Sequence, residues 1–127
     1  MTTTKVALVT GAAAGIGAAC SKRLAQDGVA VGVLDLDETR CAGTVAAIEA
    51  EGGRAIALGA DVSDRSQVQA AVGKLRAAFG PVTIVVNNAG VTDTTPFEEV
   101  TEELFEFIYK VNVLGPIIVT QETLPDM

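Results

Sequence analysis

Eight residues near the start of the chain, Thr10-Gly11-Ala12-Ala13-Ala14-Gly15-Ile16-Gly17, carry its strongest chemical signal. They follow the apolar run Val6-Ala7-Leu8-Val9, so a strand breaks into glycines and then into a helix. Such a turn leaves backbone N–H groups and the positive end of the helix dipole facing outward, which makes a seat for a phosphate. The spacing, G-x-x-x-G-x-G, is not the G-x-G-x-x-G of the common dinucleotide fingerprint. Nor is it a P-loop, because Gly17 is followed by Ala18-Ala19 where that motif needs Lys and then Ser or Thr. The pattern favours a dinucleotide; its competitor is a tight turn with close helix packing and no ligand.

Asp35 closes the next apolar run, Val31-Gly32-Val33-Leu34, eighteen residues past Gly17. That is close to the roughly twenty-residue offset at which an acid meets a ribose. A carboxylate there accepts hydrogen bonds from the ribose hydroxyls and repels a 2′-phosphate, so NAD is favoured and NADP less so. With Asp37 and Glu38, Asp35 could equally cap the following helix, and both roles can hold at once.

The elements that must position these residues follow from alternating apolar runs and helical periods. Strands are expected at 5 to 10, 30 to 35, 54 to 60 and 82 to 87, and helices at 15 to 27, 38 to 51 and 64 to 79. The third helix has the cleanest stripe, Val68, Val72, Leu75 and Phe79. Ser63 or Asp64 can cap its start, and Gly80-Pro81 ends it as Gly52-Gly53 ends the second. Short strands separated by helices read as right-handed βαβ units in a parallel sheet. The fold class is therefore α/β, a Rossmann-like three-layer α/β/α domain with four strands; the expected order, 3-2-1-4, is that of dinucleotide-binding sheets and is not fixed by the alternation itself.

Composition agrees. The 127 residues allow one domain at most, and 49% are hydrophobic with only 4% aromatic, as suits a sheet buried on both faces. A net charge of −7 argues against nucleic acid or an anionic membrane as partner. Met1-Thr2-Thr3-Thr4-Lys5 does not read as a secretory leader and no apolar run is long enough to span a bilayer, so the cytoplasm is the expected location. There is no His, and Cys20 and Cys41 lack C-x-x-C spacing. No metal is expected, and the cysteines read as buried or half-buried thiols.

Taken together, T-G-x-x-x-G-x-G over Thr10–Gly17, Asp61-Val62 after the third apolar run, and Asn87-Asn88-Ala89-Gly90 after the fourth resemble the short-chain dehydrogenase/reductase family across essentially the whole chain. The resemblance implies cofactor contacts at Gly11, Ala14, Gly15, Ile16 and Gly17, with Asp35 and Leu36 at the ribose. It implies that Asp61 and Val62 lie beside the adenine, and that Asn88, Ala89 and Gly90 let the cofactor pass close. Members that prefer the phosphorylated cofactor tend to carry a basic residue where this chain has Ala14 or Leu36. Small size at Ala89 and Gly90 is what a ribose alongside would need.

Asn112 matches the Asn of the family's catalytic tetrad. Pro116, four residues on, cannot donate to the Asn112 carbonyl in an α-helix, a defect of about 3 kcal/mol. In the family, a bend here lets that carbonyl hold a water in a proton relay; the plainer alternative is that Asn112 satisfies a backbone group at a kink. From Leu104 to Val119 apolar residues surround the helix axis, so cover is needed on more than one side. In the family this helix forms much of a dimer interface. A homo-oligomer through it, through the apolar edge Thr83 to Val86, or through both, is the expected assembly.

The family's Ser and Tyr-x-x-x-Lys have no counterpart. The only tyrosine is Tyr109, followed four residues later by Val113, and the serines, Ser21, Ser63 and Ser66, are expected at helix ends or surfaces. The sequence ends at Pro125-Asp126-Met127, where a family member would be about to enter its fifth strand. Two readings fit. One is the cofactor-binding half of an oxidoreductase whose small alcohol or ketone substrate is met only in a full-length form. The other is a non-catalytic half-Rossmann module that binds nucleotide weakly or only self-associates. A flavodoxin-like FMN site suits Asp35 less well.

Overall fold

The computed structural model of the chain describes residues 4–127; the Met1–Thr3 part of the segment read for a leader lies outside them. Four parallel strands, β1 (Val6–Thr10), β2 (Ala30–Asp35), β3 (Ala55–Gly59) and β4 (Ile84–Val86), form one sheet in the order β3-β2-β1-β4. Val6 pairs with Ala30 and Val9 with Val33, while Ala7 pairs with Ile84 and Val9 with Val86. Successive strands step outward from β1 to β3 and the chain then returns to the other side of β1. The switch point therefore lies between β1 and β4, where open α/β sheets bind ligands beyond the strands' carboxyl ends.

Alternation along β1 sends its side chains to two cores. Val6 and Leu8 join Leu34, Leu58, Val68, Val72, Leu75, Ile118 and Val119 under α3 (Arg65–Phe79) and α5 (Gly115–Thr123). Ala7 and Val9 join Val31, Val33, Cys41 and Ile48 under α1 (Gly15–Gln26) and α2 (Ala42–Ala50). Gly32 makes the first core possible: a Cβ there would sit 2.7 Å from Leu75 Cδ2 and 2.9 Å from Leu58 Cδ1. Full burial of Leu75 contributes about 2 kcal/mol.

Asp64 caps α3, its carboxylate accepting from the Gln67 N–H at 3.2 Å. Thr101 caps α4 (Glu102–Tyr109) through the Leu104 N–H at 3.1 Å. The expected helix over 38 to 51 opens instead as a 3₁₀ turn, Glu38–Cys41, before α2. Asp37 caps that turn by accepting from the Thr39 N–H at 2.9 Å, and this contact, with the Thr39 hydroxyl, holds its carboxyl below the usual range. β4 is shorter than the expected strand over 82 to 87.

The last helical stretch is not one α-helix. Between α4 and α5 the chain makes a π-helical turn, Lys110–Leu114, in which the Gly115 N–H bonds to the Lys110 carbonyl. Gly115, Ile118, Val119 and Thr123 face the core, while Phe105, Tyr109, Val113 and Ile117 are exposed. Cover on that second side does not come from the described residues of the chain itself. Ser21, expected at a helix end or surface, is fully buried inside α1 and returns its hydroxyl to the Gly17 carbonyl at 2.9 Å. Its partner is on its own helix, so burial leaves no polar atom orphaned. No helix among the described residues is long and apolar enough to cross a membrane.

Candidate active site

The turn from β1 into α1 is built on two glycines with φ near +60°, Gly11 (62°) and Gly15 (58°), a region closed to most side chains. At Gly17 the constraint is space, since a Cβ would fall 2.2 Å from the Gly11 carbonyl oxygen and 2.7 Å from Asn88 Nδ2. Gly15 meets nothing within 4 Å and is open. The residue before α1, Ala14, gives no side-chain cap, and there is no acidic residue in the first turn. The first amide of this region with a helical partner is Ala18, bonded to Ala14. The Gly15, Ile16 and Gly17 amides thus stand at a positive helix end without the carboxylate or hydroxyl that caps α3 and α4.

A cleft of about 140 Å³ lies at the carboxyl ends of the strands. Its walls include Gly11, Asp35, Leu36, Asp61, Val62, Ala89 and Gly90, all singled out in the sequence. Leu34, Ala60, Val91, Phe107 and Val111 complete it. A groove of about 170 Å³ between α1 and α2, lined by Lys22, Gln26, Glu51 and Gly53 among others, holds none of these residues.

Asp35 does not cap α2; Asp37 has the cap of the turn that leads into it. One Asp35 oxygen accepts from the Leu36 N–H at 2.8 Å and the other from the Ala13 N–H at 3.1 Å. The acid that was matched to a ribose therefore also touches the glycine turn. Asp61 Oδ1 accepts from the Ser63 N–H and hydroxyl at 2.9 and 2.7 Å. Its other oxygen has no hydrogen bond among the described residues, and the residue lines the cleft.

Asn88 joins the two strand ends. Its Nδ2 donates to the Thr10 and Gly11 carbonyls, both at 3.2 Å, and its N–H donates to Thr10 Oγ1 at 3.0 Å. Thr10 Oγ1 accepts from the Ala89 N–H at 2.9 Å and donates to the Val86 carbonyl at 3.4 Å. Thr10 was legible as part of a motif, but its role as the tie between β1 and β4 was not. Asn87 turns away, donating to the Thr120 hydroxyl at 3.1 Å.

Asn112 sits in the π-helical turn. Its Nδ2 donates to the Val91 carbonyl and its Oδ1 accepts from the Val91 N–H, each at 2.8 Å. The side chain is thus committed to a backbone group, which leaves the main-chain carbonyl as the part of Asn112 that could hold a water. The π-helical turn immediately precedes Gly115-Pro116, where the sequence calls for a bend. Gly90 fits against it closely: a Cβ there would lie 3.3 Å from Asn112 Oδ1. Among the described residues there is no group of three or more His, Cys, Asp or Glu placed to hold a metal.

The family model for short chain dehydrogenases matches residues 5–127. The chain belongs to the short-chain dehydrogenase/reductase family. It is 48% identical over 119 residues to an uncharacterized oxidoreductase of Methylorubrum extorquens, covering 92% of this chain and 48% of that protein. It is 46% identical over 115 residues to a diacetyl reductase [(S)-acetoin forming] of Staphylococcus aureus, covering 91% and 45%. Against the crystal structure of a 3-ketoacyl-ACP reductase from Sinorhizobium meliloti 1021 the TM-score is 0.90 at 40% identity, with 94% of this chain and 48% of that one covered. As a short-chain dehydrogenase/reductase, the chain spans about half the length of the relatives it matches.

The family uses a nicotinamide dinucleotide, and the residues present fit one. Three uncapped amides would suit a pyrophosphate's charge, the open side of Gly15 would leave room for it, and Gly17 admits no side chain that would fill the approach.

Proposed function

We propose that this chain forms the NAD-binding half of an oxidoreductase acting on a secondary alcohol or ketone. The observation that carries the reading is the uncapped start of α1, whose first amides have no partner among the described residues while α3 and α4 are capped by Asp64 and Thr101. The nicotinamide group supplies the hydride acceptor or donor. Gly15, Ile16 and Gly17 amides would bind the pyrophosphate, with Gly11 and Ala14 shaping the turn. Asp35 and Leu36 would take the adenosine ribose, and the free oxygen of Asp61 would accept from the adenine amine beside Val62. Ala89 and Gly90 keep the approach open while Asn88 holds the strand ends. The Asn112 carbonyl, near a proline that cannot donate to it in α register, would hold a water on the proton's path.

The substrate class rests on relatives. Diacetyl, named for one, and 2,3-butanediol, named for an L-2,3-butanediol dehydrogenase of Corynebacterium glutamicum, carry their oxygens on secondary or ketone carbons. Moving the hydroxyl proton near neutral pH needs an acid–base group. None of these 127 residues stands in the family's Ser or Tyr-x-x-x-Lys pattern, so in this reading the chain alone binds cofactor without turning over. The exposed α4–α5 face is proposed to associate with a second copy, and the compartment to be the cytoplasm.

Choice of NAD rests on charge. Asp35 would face a 2′-phosphate, and neither Ala14 nor Leu36 offers a compensating cation. Calorimetric titration with NAD, NADP and FMN tests this: NAD is expected to bind at least about tenfold tighter than NADP, a difference of about 1.4 kcal/mol. Equal or tighter NADP binding overturns the cofactor choice. Steady NADH formation from a secondary alcohol by these residues alone overturns the half-enzyme reading.

A further inference from the structure

We propose that Thr44, on α2, is a positioning residue for the phosphate-binding turn, an inference that rests on the nucleotide reading above. Thr44 is 4% exposed and donates its hydroxyl to the Ala12 carbonyl at 3.0 Å and, more loosely, to the Ala13 carbonyl at 3.3 Å. A buried hydroxyl in a helix ordinarily returns to the carbonyl four residues earlier. Ser21 does so at Gly17, and Thr123 does so at Val119 at 2.8 Å. Thr44 instead reaches out of its own helix to a turn more than thirty residues upstream.

The target of that reach gives it meaning. The back of the turn is tied at three further points of the β2 and α2 side: Ala12 N–H to the Leu34 carbonyl at 2.9 Å, Ala13 N–H to Asp35 at 3.1 Å, and the Ala12 side chain, fully buried in the core beside α2. With Thr44 fixing the carbonyls and Asp35 fixing an amide, peptide groups 12 and 13 have their orientation set from behind. The following amides, 15 to 17, are then held forward without a protein partner. A phosphate seat made of backbone dipoles works only if those dipoles are aimed before the ligand arrives, since aiming them afterwards subtracts from affinity. Thr44 does not touch the nucleotide in this arrangement. It acts through the turn.

The test compares Thr44→Val, which removes the hydroxyl at nearly constant shape, with Thr44→Ser, which keeps it. Affinities for NAD, ADP and adenosine are measured on the full chain, together with amide hydrogen exchange at Ala13. Losing one such bond is expected to weaken NAD and ADP by about 3- to 10-fold, to leave adenosine unchanged, and to speed exchange at Ala13. The serine variant is expected to restore all three. Thr44→Ala makes the same comparison should the valine variant fail to fold. Unchanged NAD and ADP affinity, an equal loss for adenosine, or no restoration by serine overturns the role of Thr44 and leaves the nucleotide reading standing. A wild-type chain that binds neither NAD nor ADP overturns both.

Discussion

Asn112 and Val91 exchange a pair of hydrogen bonds, amide to carbonyl and N–H to amide oxygen, each 2.8 Å long. The pair ties the π-helical turn to the loop that follows the Asn87–Gly90 motif. Asn112→Asp keeps the shape but can no longer donate to the Val91 carbonyl. It is expected to cost about 1 kcal/mol of stability and to loosen Gly90 and Val91 along the cleft. Chemical denaturation and an NAD titration check this. Unaltered stability would show that the pair is incidental.

Gly17 and Gly15 should respond differently to alanine. At Gly17 the new methyl would lie 2.2 Å from the Gly11 carbonyl oxygen, so the turn must shift, at an expected cost of about 1–3 kcal/mol together with loss of measurable NAD binding. At Gly15 nothing lies within 4 Å but φ is +58°, so the expected cost is about 1 kcal/mol, with NAD weakened by bulk placed where the pyrophosphate would pass. Thermal melts alongside calorimetry separate the two. A Gly15→Ala variant that binds NAD normally would contradict the proposed seat.

Asp126 predicts part of the acid response. Arg76 Nε and the Val82 N–H both donate to its carboxylate, at 2.7 and 2.9 Å, and these contacts, Arg76 first, hold its carboxyl below the usual range. A depressed folded value means the stabilisation is complete above the unfolded carboxyl's pKa of about 3.9 and is lost as pH falls through the folded value. Asp126→Asn is expected to cost on the order of 1 kcal/mol of stability at pH 7, seen as a lower melting temperature, and to make stability less steep in acid. Identical acid transitions in variant and wild type would refute this.

Self-association should depend on the outward side of α5. Ile117 is 47% exposed beside Pro116 and Leu124, and Phe105 stacks on Tyr109 one helix earlier, with ring centroids 5.6 Å apart. Light scattering at micromolar concentration is expected to report a dimer or larger species, and Ile117→Glu to shift it toward monomer. A monomeric wild type would end the proposal.

The residues bordering the cleft were legible because glycines and short acids interrupt apolar runs at each strand's carboxyl end, and the sheet gathers those ends at one edge; the strand order came from the resemblance to the family, since alternating strands and helices fit more than one order. Gly11 and Asp35 needed no more than that, whereas Asp61 and Gly90 were recognised by their resemblance to the family's motifs. Helix bounds were less so: the 3₁₀ turn at Glu38–Cys41 and the π-helical turn at Lys110–Leu114 depend on which carbonyl each amide chooses, and apolar periodicity does not record this choice. Ser21 was misplaced because hydroxyls can hide inside a helix by bonding to it. The Thr44 and Asp35 contacts to the glycine turn span 32 and 22 residues, beyond anything local spacing encodes.

Thr10 ends β1 with one oxygen engaged three ways, by Val86, Asn88 and Ala89. A valine in its place would have the same outline yet strand the Ala89 amide and leave the Asn88 amide with the Val86 carbonyl alone. The gap between the sheet's two lips is therefore gauged from both sides, by the Thr10 hydroxyl and the Asn88 side chain, and drift in the surrounding loops can alter what enters without altering how wide the mouth stands.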